Sequence, residues 1–238
     1  MSLFRTKSYE LDISSVGDKE SQRVAVVSPG RGDSQEYEHI RELCTVFAEL
    51  GCLAIGLDPP GTGRSSGKYR LDNFEQALEE LIDEHPDKKI ILAGHSRGGA
   101  MSLWVGCQNP AVTHMIAIMS RAEGSQPSEA QATKKTVGRD FSSDSAETVT
   151  MRFDQDYFIN ARGYNVLPRL AICEKPKLFI YGERDDIITP EMVQATYQAA
   201  AEIKQIRGVD APHHYRHEPK ALHQVSGAIY SFAAETQL

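Results

Sequence analysis

The chain has 238 residues, 40% of them apolar and 25% charged, with a formal net charge of −7. That length and composition fit one large globular domain, or one domain with a small insert, that folds without covalent staples. The acidic balance argues against a nucleic-acid binder or a protein drawn to anionic membranes, since both need a basic face.

Cys44, Cys52, Cys107 and Cys173 stand far apart, with no C-x-x-C and no Cys/His cluster. Neither a disulfide framework nor a structural zinc follows from that spacing. The cysteines read as small buried residues in a reducing compartment. The opening "MSLFRTKSYELD" lacks the apolar run of a signal peptide, and no stretch is apolar enough to span a membrane. A cytoplasmic location is the expectation.

"RVAVVSPG" (23–30) is a β-branched run ending in Pro-Gly, and it predicts a buried strand. Ile40, Leu43, Phe47 and Leu50 recur at helical spacing, with Gly51 as a stop. "CLAIGLD" (52–58) is the next strand. Asp72 starts a second helix, with Glu75 completing a capping box and Phe74, Leu78, Leu81 and Ile82 forming its apolar stripe. Strand "KKIILAG" (88–94), helix 97–108 and strand "VTHMIAIMS" (112–120) follow.

From Arg121 to Arg169 the pattern breaks into polar sequence with scattered Phe141, Phe153, Tyr157, Phe158 and Tyr164. A segment that long is too much for a plain connection, so residues 121–169 are read as an inserted cap with short helices. Alternation resumes with "PKLFIYGERDD" (176–186) and a helix opened by Thr189-Pro190. A strand near "KQIRGV" and a last helix carrying Leu222, Val225, Ile229 and Phe232 complete the chain. The resulting fold class is α/β. Residues 1–120 and 170–238 form a core with a mostly parallel central sheet covered by helices on both faces, interrupted by the cap.

"DPPGTGRS" (58–65) approaches a phosphate-binding loop, but Arg64 stands where that loop needs lysine and Asp58 would oppose a polyphosphate. The stronger signal is "AGHSRGGA" (93–100), in which Gly94, Ser96 and Gly98 make G-x-S-x-G between a predicted strand and a predicted helix. That context is the one a nucleophile elbow needs. Ser96 must sit on a strained, tight turn, and side chains two residues either way would collide. A serine needs a base and the base an orienter. Asp185 and Asp186 offer the acid just past an apolar strand, and His213, His214, His217 and His223 offer the base. His39, His85 and His114 lie in helical or strand patterns and receive no role. His95 lies inside the elbow and is expected to pack there.

These motifs resemble the α/β-hydrolase superfamily over most of the chain. The resemblance implies the α/β-hydrolase fold and a serine esterase-like enzyme with a small cap, acting on a small-molecule acyl substrate without cofactor or metal. A thioesterase, acyltransferase, peptidase or carbon–carbon bond hydrolase would share these residues, and a slow or non-catalytic ligand-binding protein on the same fold is the competing class. In that family G-x-x-D at a strand end carries the acid. Gly182-Glu183-Arg184-Asp185 matches it and favours Asp185 over Asp186. The base follows a short turn, which favours His213 in "Asp210-Ala211-Pro212-His213", with His214 next. D-x-x-G-x-G-x-S is a common family turn, so "DPPGTGRS" becomes a structural loop. The oxyanion hole falls to the backbone N–H of Arg97 and, by position in the loop 28–32, to that of Arg31. The histidine that relatives usually carry in that loop is absent here.

Overall fold

β3 (Arg23–Ser28), β4 (Leu53–Leu57), β5 (Lys89–His95), β6 (Val112–Ile118), β9 (Lys177–Gly182) and β10 (Lys204–Val209) are the parallel strands of an eight-stranded sheet. The strand order is β1-β2-β4-β3-β5-β6-β9-β10, and β1 (Ser2–Arg5) and β2 (Glu10–Val16) join antiparallel at one edge. The computed structural model describes residues 2–123, 133–138, 148–153 and 155–238. Among them no helix is long and apolar enough to cross a membrane.

Period-two alternation splits each strand between two cores. Val24 and Val26 of β3, Ile90 and Leu92 of β5, and Phe179 of β9 enter one. Their neighbours Ala25, Val27, Ile91, Ala93, Leu178 and Ile180 enter the other. The first core takes helical residues from α2 (Leu71–Asp83), α3 (Arg97–Gly106) and α6 (Pro190–Ala199), among others. The second takes them from α1 (Glu38–Glu49) and α7 (Pro219–Thr236). Burial on both faces explains why these strands read as continuous apolar runs.

The structure corrects the sequence reading at the sheet edge, at the start of α2, and in the insert, where a pair of strands stands beside the expected short helices. The sheet does not begin at Arg23, because β1 and β2 precede it. β2 was hidden by its polar content, since it carries the fully buried Asp12. That carboxylate is satisfied by Arg64, whose Nε and Nη2 each donate to it at 2.7 Å. Second, α2 has no capping box. It starts at Leu71, and its N–H groups at Leu71 and Asp72 donate to Asn160 Oδ1 at 2.7 and 3.2 Å. Glu75 is engaged elsewhere, accepting from Trp104 Nε1 and Tyr164 Oη at 2.7 Å each. A tertiary partner displaced the local one.

Between β6 and β9 lie β7 (Thr133–Gly138) and β8 (Thr148–Phe153), paired antiparallel in their own small sheet, then α4 (Gln155–Ala161) and α5 (Leu167–Leu170). Tyr157, Phe158, Ala161 and Tyr164 are buried in the first core, with Tyr157 stacked on Tyr69 at 5.3 Å between ring centroids. Phe141 lies outside the described residues, as does the side chain of Phe153. Arg162 is exposed.

Candidate active site

The parallel strands β3, β5, β6, β9 and β10 end at one edge of the sheet, and the loops leaving that edge carry the chemistry-bearing residues. β5 stops at His95 and α3 starts at Arg97, leaving Ser96 alone to make the turn. Its backbone sits at φ 51°, ψ −116°, a conformation that side-chain-bearing residues rarely adopt. The turn is locked from below. Ser96 N–H donates to the Ile118 carbonyl at 2.8 Å, and the Ser120 hydroxyl donates to the Ser96 carbonyl at 2.5 Å. The flanking glycines are sterically required. A Cβ on Gly94 would lie 2.5 Å from the Gly98 carbonyl carbon, and one on Gly98 would lie 2.5 Å from the Pro29 oxygen.

His213 reaches Ser96 from the loop after β10. Its Nε2 stands 3.1 Å from Ser96 Oγ, and its Nδ1 stands 2.8 Å from Asp185 Oδ2. Asp185, from the loop after β9, is buried, and its other oxygen accepts the N–H groups of Ile187 and Ile188 at 2.9 and 2.8 Å. A carboxylate gripped by backbone donors on one oxygen presents the other at a fixed angle, which fixes the imidazole. The chain thus brings together Ser96, His213 and Asp185, residues separated by more than a hundred positions at their widest. It does not bring in their neighbours. Asp186 and His214 are exposed, as are His217 and His223.

The loop leaving β3 lies against the elbow. A Cβ on Gly30 would be 3.3 Å from Ser96 Cβ, so the start of the segment containing Arg31 borders the serine. The exposed Arg31 follows Gly30, and Arg97 opens α3 directly after Ser96. "DPPGTGRS" buttresses this loop. The buried Asp58 accepts the Gln35 N–H at 2.7 Å and the Ser34 hydroxyl at 3.1 Å. Burial pushes the Asp58 carboxyl up to about 7, against the lowering effect of the Gln35 N–H.

Behind the base lies a layer the sequence reading missed. His95 Nε2 donates to the His213 carbonyl at 3.0 Å, and its Nδ1 lies 3.6 Å from Asp33 Oδ2. His39 of α1 packs edge-on against His95, with ring centroids 5.0 Å apart. Burial holds both imidazoles below the usual histidine range, against the raising effect of Asp33. His95 lies far along the chain from Asp33 and His39, so no local pattern could have joined the three.

A family model described as alpha/beta hydrolase fold matches residues 26–143. The chain is 30% identical over 103 residues to a monoglyceride lipase homolog of Monkeypox virus, covering 40% of this chain and 36% of that protein. It is 25% identical over 118 residues to the monoglyceride lipase of Mus musculus, covering 46% and 39%. The matches therefore span well under half the length of these curated relatives. Among solved structures, Est1E from Butyrivibrio proteoclasticus with ferulic acid bound superposes with a TM-score of 0.79. That likeness covers 100% of this chain and 99% of the other at 17% identity, so it speaks for the fold alone.

Proposed function

Because the chain has the α/β-hydrolase fold, we propose that it is a serine hydrolase cleaving a carboxylic ester or related acyl bond of a small-molecule substrate. The observation that carries this is His213, bridging Ser96 Oγ at 3.1 Å and Asp185 Oδ2 at 2.8 Å. Ser96 attacks the acyl carbon while His213 Nε2 takes its proton. Asp185 holds the proton on Nδ1, leaving the Nε2 lone pair aimed at the serine. The N–H groups of Arg31 and Arg97 stabilise the tetrahedral oxyanion, each contributing on the order of 3 kcal/mol. His213 then protonates the leaving alcohol, and a water activated by the same imidazole releases the acid from Ser96. These steps need no cofactor.

Residues 121–169 are the cap in this reading, resting on the core through the buried Tyr157, Phe158 and Tyr164. The lipase names among the relatives favour an ester over an amide. Fluorophosphonate labelling tests the reading, with mass spectrometry locating the modified peptide. Labelling is expected at Ser96, absent in Ser96→Ala, strongly weakened in His213→Ala and little changed in His214→Ala. A folded protein that takes up no label at Ser96 refutes the proposal.

A further inference from the structure

Asp33, His39 and His95 are all buried, and each offers a ligand atom within 4.8 Å of the other two. Two imidazoles and a carboxylate are a donor set suited to a zinc-like divalent ion. Among the described residues, both ring nitrogens of His39 and the Nδ1 of His95 have no hydrogen-bond partner, although His39 is only 3% exposed and His95 1%. A buried polar atom without a partner is costly, so such a cluster calls for an occupant.

The tautomer of His95 sharpens the point. The His213 carbonyl can only accept, so the His95 Nε2 facing it at 3.0 Å carries the proton. In the neutral ring Nδ1 is then a bare lone pair, and it faces an Asp33 oxygen at 3.6 Å. Two acceptors meet there. The separation is long for a hydrogen bond, but it fits two ligands of one tetrahedral zinc ion, which stand roughly 3.3–3.6 Å apart. Room exists because residue 30 is glycine. A Cβ there would lie 2.7 Å from Asp33 Oδ2 and 3.2 Å from His95 Nδ1.

We propose that Asp33, His39 and His95 bind a single divalent transition-metal ion, with zinc the best fit, behind the elbow. Asp33 supplies an oxygen, His95 its Nδ1 and His39 one ring nitrogen, leaving a position for water. Metal-bound histidines commonly donate the other ring N–H to a carbonyl or carboxylate. His95 does so to the backbone of His213. The ion therefore ties together the loop after β3, α1, the elbow and the loop bearing His213. Asp33 and His39 act here as positioning residues, a consequence that rests on the reading of His213 as the base. The cation site itself does not depend on that reading.

The test uses the full chain, stripped with a chelator and titrated with Zn²⁺ by calorimetry, with Co²⁺ as a visible-absorbing stand-in. One ion per chain is expected, with ligand-field bands of low coordination number and a melting temperature that rises with Zn²⁺. His39→Ala and Asp33→Ala should each weaken zinc binding at least about tenfold while circular dichroism stays native. The exposed His214 and His217 could also hold zinc, so a His214→Ala/His217→Ala variant is the control and should keep the site. Should the buried variants misfold, the wild type decides: Zn²⁺ must shift the ring-nitrogen resonances of His39 and His95. Unshifted resonances, no stoichiometric uptake, or binding lost only in the control each overturn the proposal. Stripping zinc is further expected to lower kcat several-fold with KM little changed. Zinc uptake by a protein that hydrolyses no ester would leave the cation site standing and sink only the proposed function. Ester hydrolysis without zinc uptake would do the reverse.

Discussion

Replacing Asp185 with asparagine is the sharpest test of the proposed chemistry. Asp185 Oδ1 accepts two backbone donors, Ile187 at 2.9 Å and Ile188 at 2.8 Å, while Oδ2 faces His213 Nδ1 at 2.8 Å. Asparagine has only one acceptor. Turning its amino group toward the backbone would strand two N–H groups, at about 1–3 kcal/mol each. The carbonyl therefore keeps the backbone pair, and the amino group donates to Nδ1. That forces the His213 proton onto Nε2, which now points an N–H at Ser96 Oγ, and the lone pair that should take the serine proton is gone. For Asp185→Asn we expect kcat to fall on the order of 10⁴-fold, about 5 kcal/mol of barrier, with KM and circular dichroism nearly unchanged. Hydrolysis of p-nitrophenyl butyrate at neutral pH measures it, with the exposed Asp186→Asn as a control that retains wild-type rate. A folded Asp185→Asn protein whose rate stays within about tenfold of wild type would refute the tautomer argument.

Gly98→Ala drives a methyl into the Ser28 and Pro29 carbonyls. It should cost about 1–3 kcal/mol or more in chemical denaturation and abolish Ser96 labelling, and native-like labelling would show that the loop yields freely. The Asp58 carboxyl, pushed up to about 7 by burial, keeps its proton in the folded protein where the unfolded chain has lost it. Its contribution is full below about pH 4 and lost as pH rises through about 7, roughly 4 kcal/mol in all. Asp58→Asn should flatten that part of the stability profile, and an unchanged slope in urea titrations between those pH values would contradict it. Asn160→Ala removes the acceptor at the start of α2 and should lower stability by about 1 kcal/mol by thermal melting. A variant as stable as wild type would mean that water caps the helix equally well.

The local patterns in the chain were enough to establish the parallel sheet and the elbow. Period-two runs such as "RVAVV" and "KIILAG" are apolar on both faces only if both faces are covered. G-x-S-x-G at a strand–helix junction is a steric prescription that residues 94–98 satisfy by themselves. Edge strands escape such reading. β1 and β2 expose much of their surface and carry polar residues, and Asp12 is buried only because Arg64, 52 positions away, pairs with it. Which of two adjacent carboxylates and two adjacent imidazoles faces Ser96 was likewise decided in three dimensions. Adjacent residues differ in direction, and only the docking of the β9 and β10 loops at the sheet edge turns Asp185 and His213 inward while Asp186 and His214 meet solvent. The same holds for Asn160 of α4, which caps α2, and for His95 meeting Asp33 and His39. Their partners are set by packing between distant segments, and short-range spacing carries no trace of it.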